Sequence, residues 1–240
     1  KWLGQDLIAS AEAMKQADEK MYRWVWLGEA VGVDELIYYM FGDRHRQKPD
    51  PDRRYDRIYI GGDYGQQNAT TFQAFGLDSY RKKFPGLGEY YHSGRETGKQ
   101  KSPSEYAKDL VEFMNNLHEL YENRVFYIFL DPSAKGLAEE VRRATRTGLD
   151  YQVILRNAEN DVGLGISRVQ KALCFDIMSV SPKQENAVRE FGTYEYDKKS
   201  IEKGKEVPVK ESDHCMDAIR YVVMGVWKRL KHWLPREVQD

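Results

Sequence analysis

The stretch RIYIGGDYGQQNATT, residues 57–71, determines how the rest of this 240-residue chain is interpreted. Residues 58–60 form an apolar, β-branched and aromatic run, which predicts a buried strand. The run passes through two glycines into a lone carboxylate, Asp63, before the chain turns into a second strand-like run at 70–76. A charge at the end of a buried strand is rarely kept unless it is paired or holds a metal. The simplest alternative is that Asp63 is a cap or turn residue beside Gly65.

Two later stretches repeat the pattern of isolated carboxylates. VFYIFLDPSAKG (125–136) predicts a strand that ends in Asp131. SDHCMDAIRY (212–221) predicts the start of a helix. It carries three polar residues at spacings that share one helix face: Asp213, His214 and Asp217. Hard divalent cations bind oxygen ligands, and a pair of them about 3.5–4 Å apart activates a water for attack on a phosphodiester.

These motifs, in this order, resemble the ribonuclease H-like nucleases. More narrowly, the chain resembles the C-terminal nuclease domain of tailed-bacteriophage terminase large subunits. The resemblance is carried by IGGDYG (60–65), FLDPSAKG (129–136), DHCMDAIRY (213–221) and, for the segment that joins the ATPase to the nuclease, YRWVWLGEAVG (22–32). It implies an α/β fold with a mixed ribonuclease H-like sheet flanked by helices. In that fold the first and fourth strands are neighbours, which brings Asp63 and Asp131 together.

The resemblance also implies an activity. It is that of a divalent-metal-dependent endonuclease that cuts concatemeric double-stranded viral DNA during genome packaging. Asp63, Asp131 and Asp217 are then catalytic residues that hold two Mg²⁺ or Mn²⁺ ions. Asp213 is either a fourth metal ligand or a helix cap. His214 is a metal ligand, a proton shuttle or a residue that orients a ligand.

The implied partners are a small terminase subunit, a portal protein and an ATPase domain of the same polypeptide, all in the host cytoplasm. The chain contains no G-x-x-x-x-G-K-[ST] phosphate loop, so we do not expect it to hydrolyse ATP alone. It does not begin with methionine, which indicates a fragment or a processed product. Two other classes stay open. One is another ribonuclease H-like nuclease, such as a junction resolvase or a transposase, and the other is a non-catalytic docking module of the packaging motor.

Composition narrows the class of protein. The net charge is −1, so DNA binding would require local clusters of basic residues. The two cysteines predict no disulfide framework. No apolar run is long enough to span a membrane, and we expect no membrane among the partners. The residues predicted to contact DNA phosphates are Lys135, Arg142, Arg143, Lys198, Lys199, Lys203 and Lys205. The alternative for these basic runs is a solvated face.

The chain divides, on its patterns, into a helical appendage at 1–52 and a nuclease domain at 53–240. Two helices are predicted within 4–15 and 17–24, and the polar, proline-containing segment 44–54 marks the boundary. Strands are predicted at 57–64, 69–76, 89–93, 125–130, 151–155 and 175–180. Helices are predicted at 103–121, 135–147, 161–173, 182–191 and 213–229. Residues 197–206 are predicted to form a charged hairpin.

Overall fold

A six-stranded mixed sheet forms the centre of the molecule. The computed structural model describes residues 8, 11, 12, 14, 15, 22, 26, 27, 36–65, 68–211 and 213–238. Within them the strands are β1 (Arg57–Asp63), β2 (Ala69–Leu77), β3 (Phe84–Ser93), β4 (Val125–Leu130), β5 (Gln152–Asn157) and β6 (Met178–Ser179). Their order across the sheet is β5-β4-β1-β2-β3-β6.

Helices pack on both faces of this sheet. In the described part of the chain they are α1 (Gly94–Thr97), α2 (Pro103–Tyr121), α3 (Lys135–Ala144), α4 (Val162–Cys174), α5 (Glu185–Phe191), α6 (Lys198–Ile201) and α7 (His214–Leu230). Short 3₁₀ turns lie at Asp43–His45, Lys231–Trp233 and Arg236–Val238. None of the helices among the described residues is long and apolar enough to span a membrane.

Strand register places two of the predicted site residues side by side. β1 runs antiparallel to β2 and parallel to β4, with Gly62 opposite Leu130. The residue after each of these two carries a carboxylate, so Asp63 and Asp131 lie at the same edge of the sheet. The predicted pairing of the first and fourth strands is therefore confirmed, as is the ribonuclease H-like sheet flanked by helices.

Alternation along the strands produces two hydrophobic cores. Ile58 and Ile60 point to the face covered by α2 and α3, whereas Tyr59 points to the face covered by α4 and α7. On β4, Ile128 and Phe129 divide between the same two faces. A sheet buried on both faces explains why its central strands are apolar almost throughout.

Most elements lie where the sequence predicts them, with shifted ends. α2 begins at Pro103 and ends at Tyr121, as predicted, after a capping box in which Ser102 and Glu105 exchange hydrogen bonds. The strand predicted at 175–180 is reduced to two residues. The reason is local, because Asp176 has a left-handed backbone (φ 50°) that ends α4 and delays the strand.

The segment before the first strand packs into the same core. Ile37 and Tyr38 are fully buried, and the Ile37 N–H donates to the carbonyl oxygen of Tyr194 at 2.9 Å. The helices predicted within 4–15 and 17–24 lie mostly outside the described residues. The division of the chain at residue 52 stays a prediction.

The charged hairpin prediction needs a correction. Its two flanks do pair, since Tyr196 and Pro208 form an antiparallel bridge. The residues between them are not a simple turn, because Asp197 accepts a hydrogen bond from the Ser200 N–H at 2.8 Å and so begins α6. Asp197 therefore acts as an N-cap, and a short helix replaces the predicted turn between the two flanks.

Candidate active site

Three carboxylates from three separate elements converge at one edge of the sheet. Asp63 ends β1, Asp131 follows β4, and Asp217 lies in the first turn of α7. The close approach of α7 to β1 depends on Gly61. A Cβ atom there would overlap the Ala218 carbonyl oxygen and lie 2.7 Å from Cγ2 of Val222. The missing side chain lets the helix lie on the strand and carry Asp217 to the other two carboxylates.

Asp63 is held by the histidine of α7. Nδ1 of His214 lies 2.8 Å from Oδ2 of Asp63, and only 18% of the Asp63 side chain is exposed. This hydrogen bond raises the pKa of His214. Burial raises the pKa of Asp63, and the charges of Asp217 and Asp131 raise it further, although His214 opposes the shift. His214 and Asp63 therefore form one hydrogen-bonded pair whose pKa values depend on each other.

Asp131 lies in a different electrostatic environment. Its Oδ1 accepts from the Ser133 N–H at 2.7 Å, and its Oδ2 accepts from the Tyr221 hydroxyl at 3.0 Å. Burial alone would raise the pKa of Asp131, but these hydrogen bonds lower it below its ordinary value. Two neighbouring carboxylates thus have pKa values that are shifted in opposite directions. Asp131 stays ionised while Asp63 is partnered by an imidazole.

Asp217 is held by a buried arginine one turn along the helix. Nη2 of Arg220 donates to Oδ1 of Asp217, and only 2% of the Arg220 residue is exposed. Nε and Nη1 of Arg220 have no hydrogen-bond partner among the described residues. A guanidinium in such a setting is costly to bury, so its carboxylate partner is strongly held. Sequence reasoning missed this residue, and its i, i+3 spacing from Asp217 was the only available signal.

Asp213 does not cap α7 with its side chain, so that interpretation was wrong. It occupies the N-cap position, but its carboxylate makes no capping hydrogen bond. The free N–H groups are instead taken by Glu190 of α5. Its Oε2 accepts from the N–H groups of Cys215 at 2.7 Å and Met216 at 3.3 Å. Burial raises the pKa of Glu190 to about 7, although the two N–H donors oppose the shift.

A second carboxylate extends this arrangement back to the sheet. Glu89 of β3 accepts hydrogen bonds from the N–H groups of Asn186 at 2.8 Å and Ala187 at 3.1 Å. These groups belong to the first turn of α5, the helix that carries Glu190. Two acidic side chains thus accept hydrogen bonds from the first turns of α5 and α7. β3 positions α5, and α5 positions the beginning of α7, which holds His214 and Asp217.

A cleft of about 490 Å³ opens beside Asp63. Asp213, His214 and Asp217 line it as well, together with two cations, Arg95 and Lys210. Neither cation was singled out from the sequence, because each stands alone in a mixed polar segment. The cleft is open to solvent and large enough to accept a phosphate group beside the carboxylates.

The basic residues predicted to contact DNA lie elsewhere on the surface. They are all exposed, and none of them lines the cleft: Lys135, Arg142, Arg143, Lys198, Lys199, Lys203 and Lys205. Arg143 forms an ion pair with Glu140 at 2.9 Å. Lys135 begins α3, four residues after Asp131. Their contact with DNA stays a prediction.

The atoms that could bind a metal in this site are of the type that a hard divalent cation prefers. Carboxylate oxygens predominate among them, and the pKa of both Asp63 and Asp213 is raised by burial and then by neighbouring carboxylates. A bound cation relieves that repulsion. Among the described residues, however, no three His, Cys, Asp or Glu side chains are close enough to form a preformed metal-binding site. His214, Tyr221 and Arg220 hold the three carboxylates, so binding a metal requires these groups to shift or share oxygens.

Comparison with known proteins agrees with this architecture. The family model described as the terminase RNAseH like domain matches residues 63–224, well over half of the chain. The large terminase of the thermophilic bacteriophage D6E, solved in complex with ADP, is 31% identical, with a TM-score of 0.77. The match covers 92% of this chain and 52% of that chain, so this chain spans about half the length of the D6E protein. No curated protein matches the chain.

Two more distant structures show the same fold. The nuclease domain of the bacteriophage P22 large terminase is 14% identical over 85% of this chain and 97% of that chain, with a TM-score of 0.61. The large terminase nuclease from the thermophilic phage G20c, solved with bound cobalt, is 15% identical over 79% and 97%, with a TM-score of 0.53. The family match, the D6E likeness and the sheet topology together show that this chain belongs to the family of terminase ribonuclease H-like domains.

Proposed function

We propose that the chain is a divalent-metal-dependent endodeoxyribonuclease that cuts concatemeric viral DNA during genome packaging in the host cytoplasm. The observation that carries the proposal is the convergence of Asp63, Asp131 and Asp217 from two strands and a helix. These side chains influence one another electrostatically, since Asp131 and Asp217 both raise the pKa of Asp63. Stability does not favour such a concentration of carboxylates, whereas phosphodiester hydrolysis with metal ions requires it.

The residues that would hold two Mg²⁺ or Mn²⁺ ions are Asp63, Asp131 and Asp217, with Asp213 as the further candidate. Bound there, the metal supplies activation of the attacking water and offsets negative charge on the phosphate. The cobalt bound to the G20c terminase nuclease, whose fold this chain shares, is in keeping with a divalent cation.

The other side chains of the site orient the three carboxylates. Tyr221 fixes one oxygen of Asp131 and keeps the pKa of that group low. Arg220 fixes Asp217 from the protein interior. His214 orients Asp63 through Nδ1 and lines the cleft. Fixed orientation of this kind removes the entropy cost of assembling the ligands during each reaction.

The wider context of the chain belongs to the same proposal. The D6E relative is a large terminase that was solved with ADP, and this chain spans about half of its length. We infer an ATPase domain on the same polypeptide, and a small terminase subunit and a portal protein as the partners that bring DNA to the site. Since the chain has no phosphate loop, we expect it to show no ATP turnover by itself.

The proposal is tested with supercoiled plasmid, purified chain and Mg²⁺, Mn²⁺ or EDTA. We expect nicked and linear products with either metal and none in EDTA. Asp63→Asn is expected to abolish cutting, whereas Asp52→Asn, the same chemical change at an exposed position, leaves it unchanged. Products that persist in EDTA, or equal rates for the two variants, would contradict the proposal.

Substrate structure separates this activity from that of related nucleases. We expect linear duplex and plasmid to be cut at least as fast as a four-way junction. A strong preference for the junction would favour a resolvase. Calorimetric titration with Mn²⁺ separates the nuclease from a docking module, since we expect wild-type chain to release or absorb heat and Asp63→Asn to lose most of that signal.

A further inference from the structure

A second concave surface lies on the same face of the sheet as the carboxylates, and no step of the proposed reaction uses it. This basic groove has a volume of about 550 Å³. Its floor is aromatic and its walls are cationic, and the residues that define it are Tyr59, Tyr127, Phe129, Arg156, Lys228 and Arg229. We propose that it holds the DNA backbone on one side of the cut, as a phosphate track about five base pairs from the scissile bond. This inference rests on the proposed function.

The floor of the groove is formed by aromatic rings that contact one another. The rings of Tyr59 and Tyr127 stack with centroids 5.2 Å apart, and those of Tyr59 and Phe129 with centroids 6.3 Å apart. Gly225 of α7 packs directly against Phe129, and a Cβ atom there would lie 2.7 Å from Cε2 of that ring. Because Gly225 has no side chain, α7 packs directly on the aromatic floor and no side chain from this position enters the groove.

The cations around the groove have no carboxylate partner among the described residues. Arg57 lies beside the groove, 5.6 Å above the ring of Tyr127. Neither it nor Arg156, Lys228 or Arg229 forms an ion pair with any residue that the structure describes. No acidic residue lines the groove. Three cations without a carboxylate partner around one concave surface, with a fourth beside it, favour an anionic ligand.

The helix dipole does not explain this cluster. Lys228 and Arg229 lie in the last turn of α7, where a positive charge stabilises the helix end. Arg156 of strand β5, however, lines the groove from the sheet, and Arg57 of strand β1 lies over the ring of Tyr127 beside it. The convergence of cations from three elements is what a polyanion requires, and arginine pairs with phosphate oxygens in a bidentate manner.

The elements that form the groove, β4 and α7, also lead to the candidate active site. Phe129 lies near the end of β4, and Asp131 follows two residues later, directly after the strand. Along α7, Tyr221 contacts Asp131, and Gly225 is one turn further on. From Asp217 to Lys228 the helix rises about 17 Å. Phosphates follow one another at about 3.4 Å along each strand of a duplex, so this distance corresponds to roughly five base pairs.

Binding of DNA in EDTA tests the track without any cleavage. The probe is a fluorescent duplex of about 30 base pairs, titrated by anisotropy at several salt concentrations. The test variant is Arg156→Gln/Lys228→Gln/Arg229→Gln, whose three side chains are exposed. The control is Lys48→Gln/Lys108→Gln/Lys183→Gln, which makes the same change in net charge at exposed positions outside the groove. Melting curves of both variants show whether the fold is kept.

We expect the groove variant to bind more weakly and to lower the slope of log K against log salt by about 2–3. The control variant is expected to keep a slope within about 1 of that of the wild type. Equal slopes for all three proteins would overturn the track and leave an acidic protein surface as the partner of these cations. No measurable duplex binding by the wild type would overturn it as well.

Cleavage provides a second readout that separates the track from the reaction itself. At low salt the groove variant is expected to keep kcat within about 3-fold of the wild type while KM for DNA rises about 10-fold or more. A fall in kcat with KM unchanged would place these residues in the chemistry and contradict the track. If the wild type binds with a groove-dependent slope but never cuts, the proposed function fails and the track stands.

Discussion

The hydroxyl of Tyr221 donates a hydrogen bond to Asp131 at 3.0 Å and so joins the long helix α7 to the end of strand β4. The same bond helps to keep the pKa of Asp131 below its ordinary value. Tyr221 is buried and its ring packs in the core, so removing only the oxygen tests the bond itself.

We expect Tyr221→Phe to keep the fold and to lower the cleavage rate by roughly 10–100-fold, the range typical of residues that orient metal ligands. The matched control is Tyr151→Phe. Its hydroxyl donates to Asn115 at 2.6 Å on the other face of the sheet, so we expect normal cutting. Rates measured at several Mn²⁺ concentrations check the prediction, and equal activity of both variants would remove Tyr221 from the site.

Gly61 is expected to tolerate no side chain. Because a methyl group there would overlap the Ala218 carbonyl oxygen, Gly61→Ala must push α7 away from β1. Overpacking of this kind costs about 1–3 kcal/mol in the free energy of unfolding. The shift also separates Asp217 from Asp63, so we expect the loss of cutting to exceed what the lost stability explains.

Gly88→Ala is the control for this prediction. It lies in β3 of the same sheet, where the nearest atom to an added Cβ is in ordinary contact at 3.6 Å. Denaturant unfolding and plasmid cutting are measured for both variants. Normal activity of Gly61→Ala in its folded form would show that the close approach of α7 is not needed.

The three polar residues of α7 are expected to differ in role. Asp217→Asn should keep the fold and abolish cutting, as should Asp63→Asn and Asp131→Asn. His214→Ala should lose about 10–100-fold, because it holds Asp63 from outside the predicted ligand set. Asp213→Asn should retain most activity, because Asp213 is only the further candidate beside Asp63, Asp131 and Asp217 and makes no capping bond whose loss would disturb α7. Cleavage time courses with melting curves check the series. An inactive Asp213→Asn beside a normal Asp217→Asn would mean that the third carboxylate was wrongly chosen.

The sequence predicted the carboxylates at the ends of β1 and β4 because each is marked locally. An apolar run that ends in one charged residue is visible without any tertiary information, and the strand order follows from the family resemblance. The helix of Asp217 was also recognisable, since its polar residues recur at helical spacing. These features depend on neighbours within about one turn or one strand.

The supporting residues could not be predicted in the same way. Glu190 and Cys215 are 25 positions apart in the chain, and only the packing of α5 against α7 brings them into contact. In the sequence Glu190 is one more polar residue of a short helix. Asp213 looked like the natural cap because it stands directly before α7. The competing carboxylate from another helix is visible only in three dimensions.

Glu190 gives the stability of the fold a particular pH dependence. Its pKa is raised from 4.5 to about 7 by burial, whereas the unfolded chain should titrate near the ordinary value. Between these values the folded protein binds more protons than the unfolded one, so stability falls as pH rises. The contribution is fully present below about pH 4.5 and is lost as pH rises through about 7.

Glu190→Gln removes this titration while keeping an oxygen that accepts from Cys215 and Met216. We expect the stability of the wild type, relative to that of the variant, to fall by up to about 3 kcal/mol between pH 4.5 and pH 7.5. Glu139→Gln, at an exposed position of α3, should run parallel to the wild type. Denaturant unfolding in EDTA at four pH values measures all three proteins without metal. Parallel curves for wild type and Glu190→Gln would show that Glu190 titrates normally in the fold, and that burial at the start of α7 is offset by its two N–H donors.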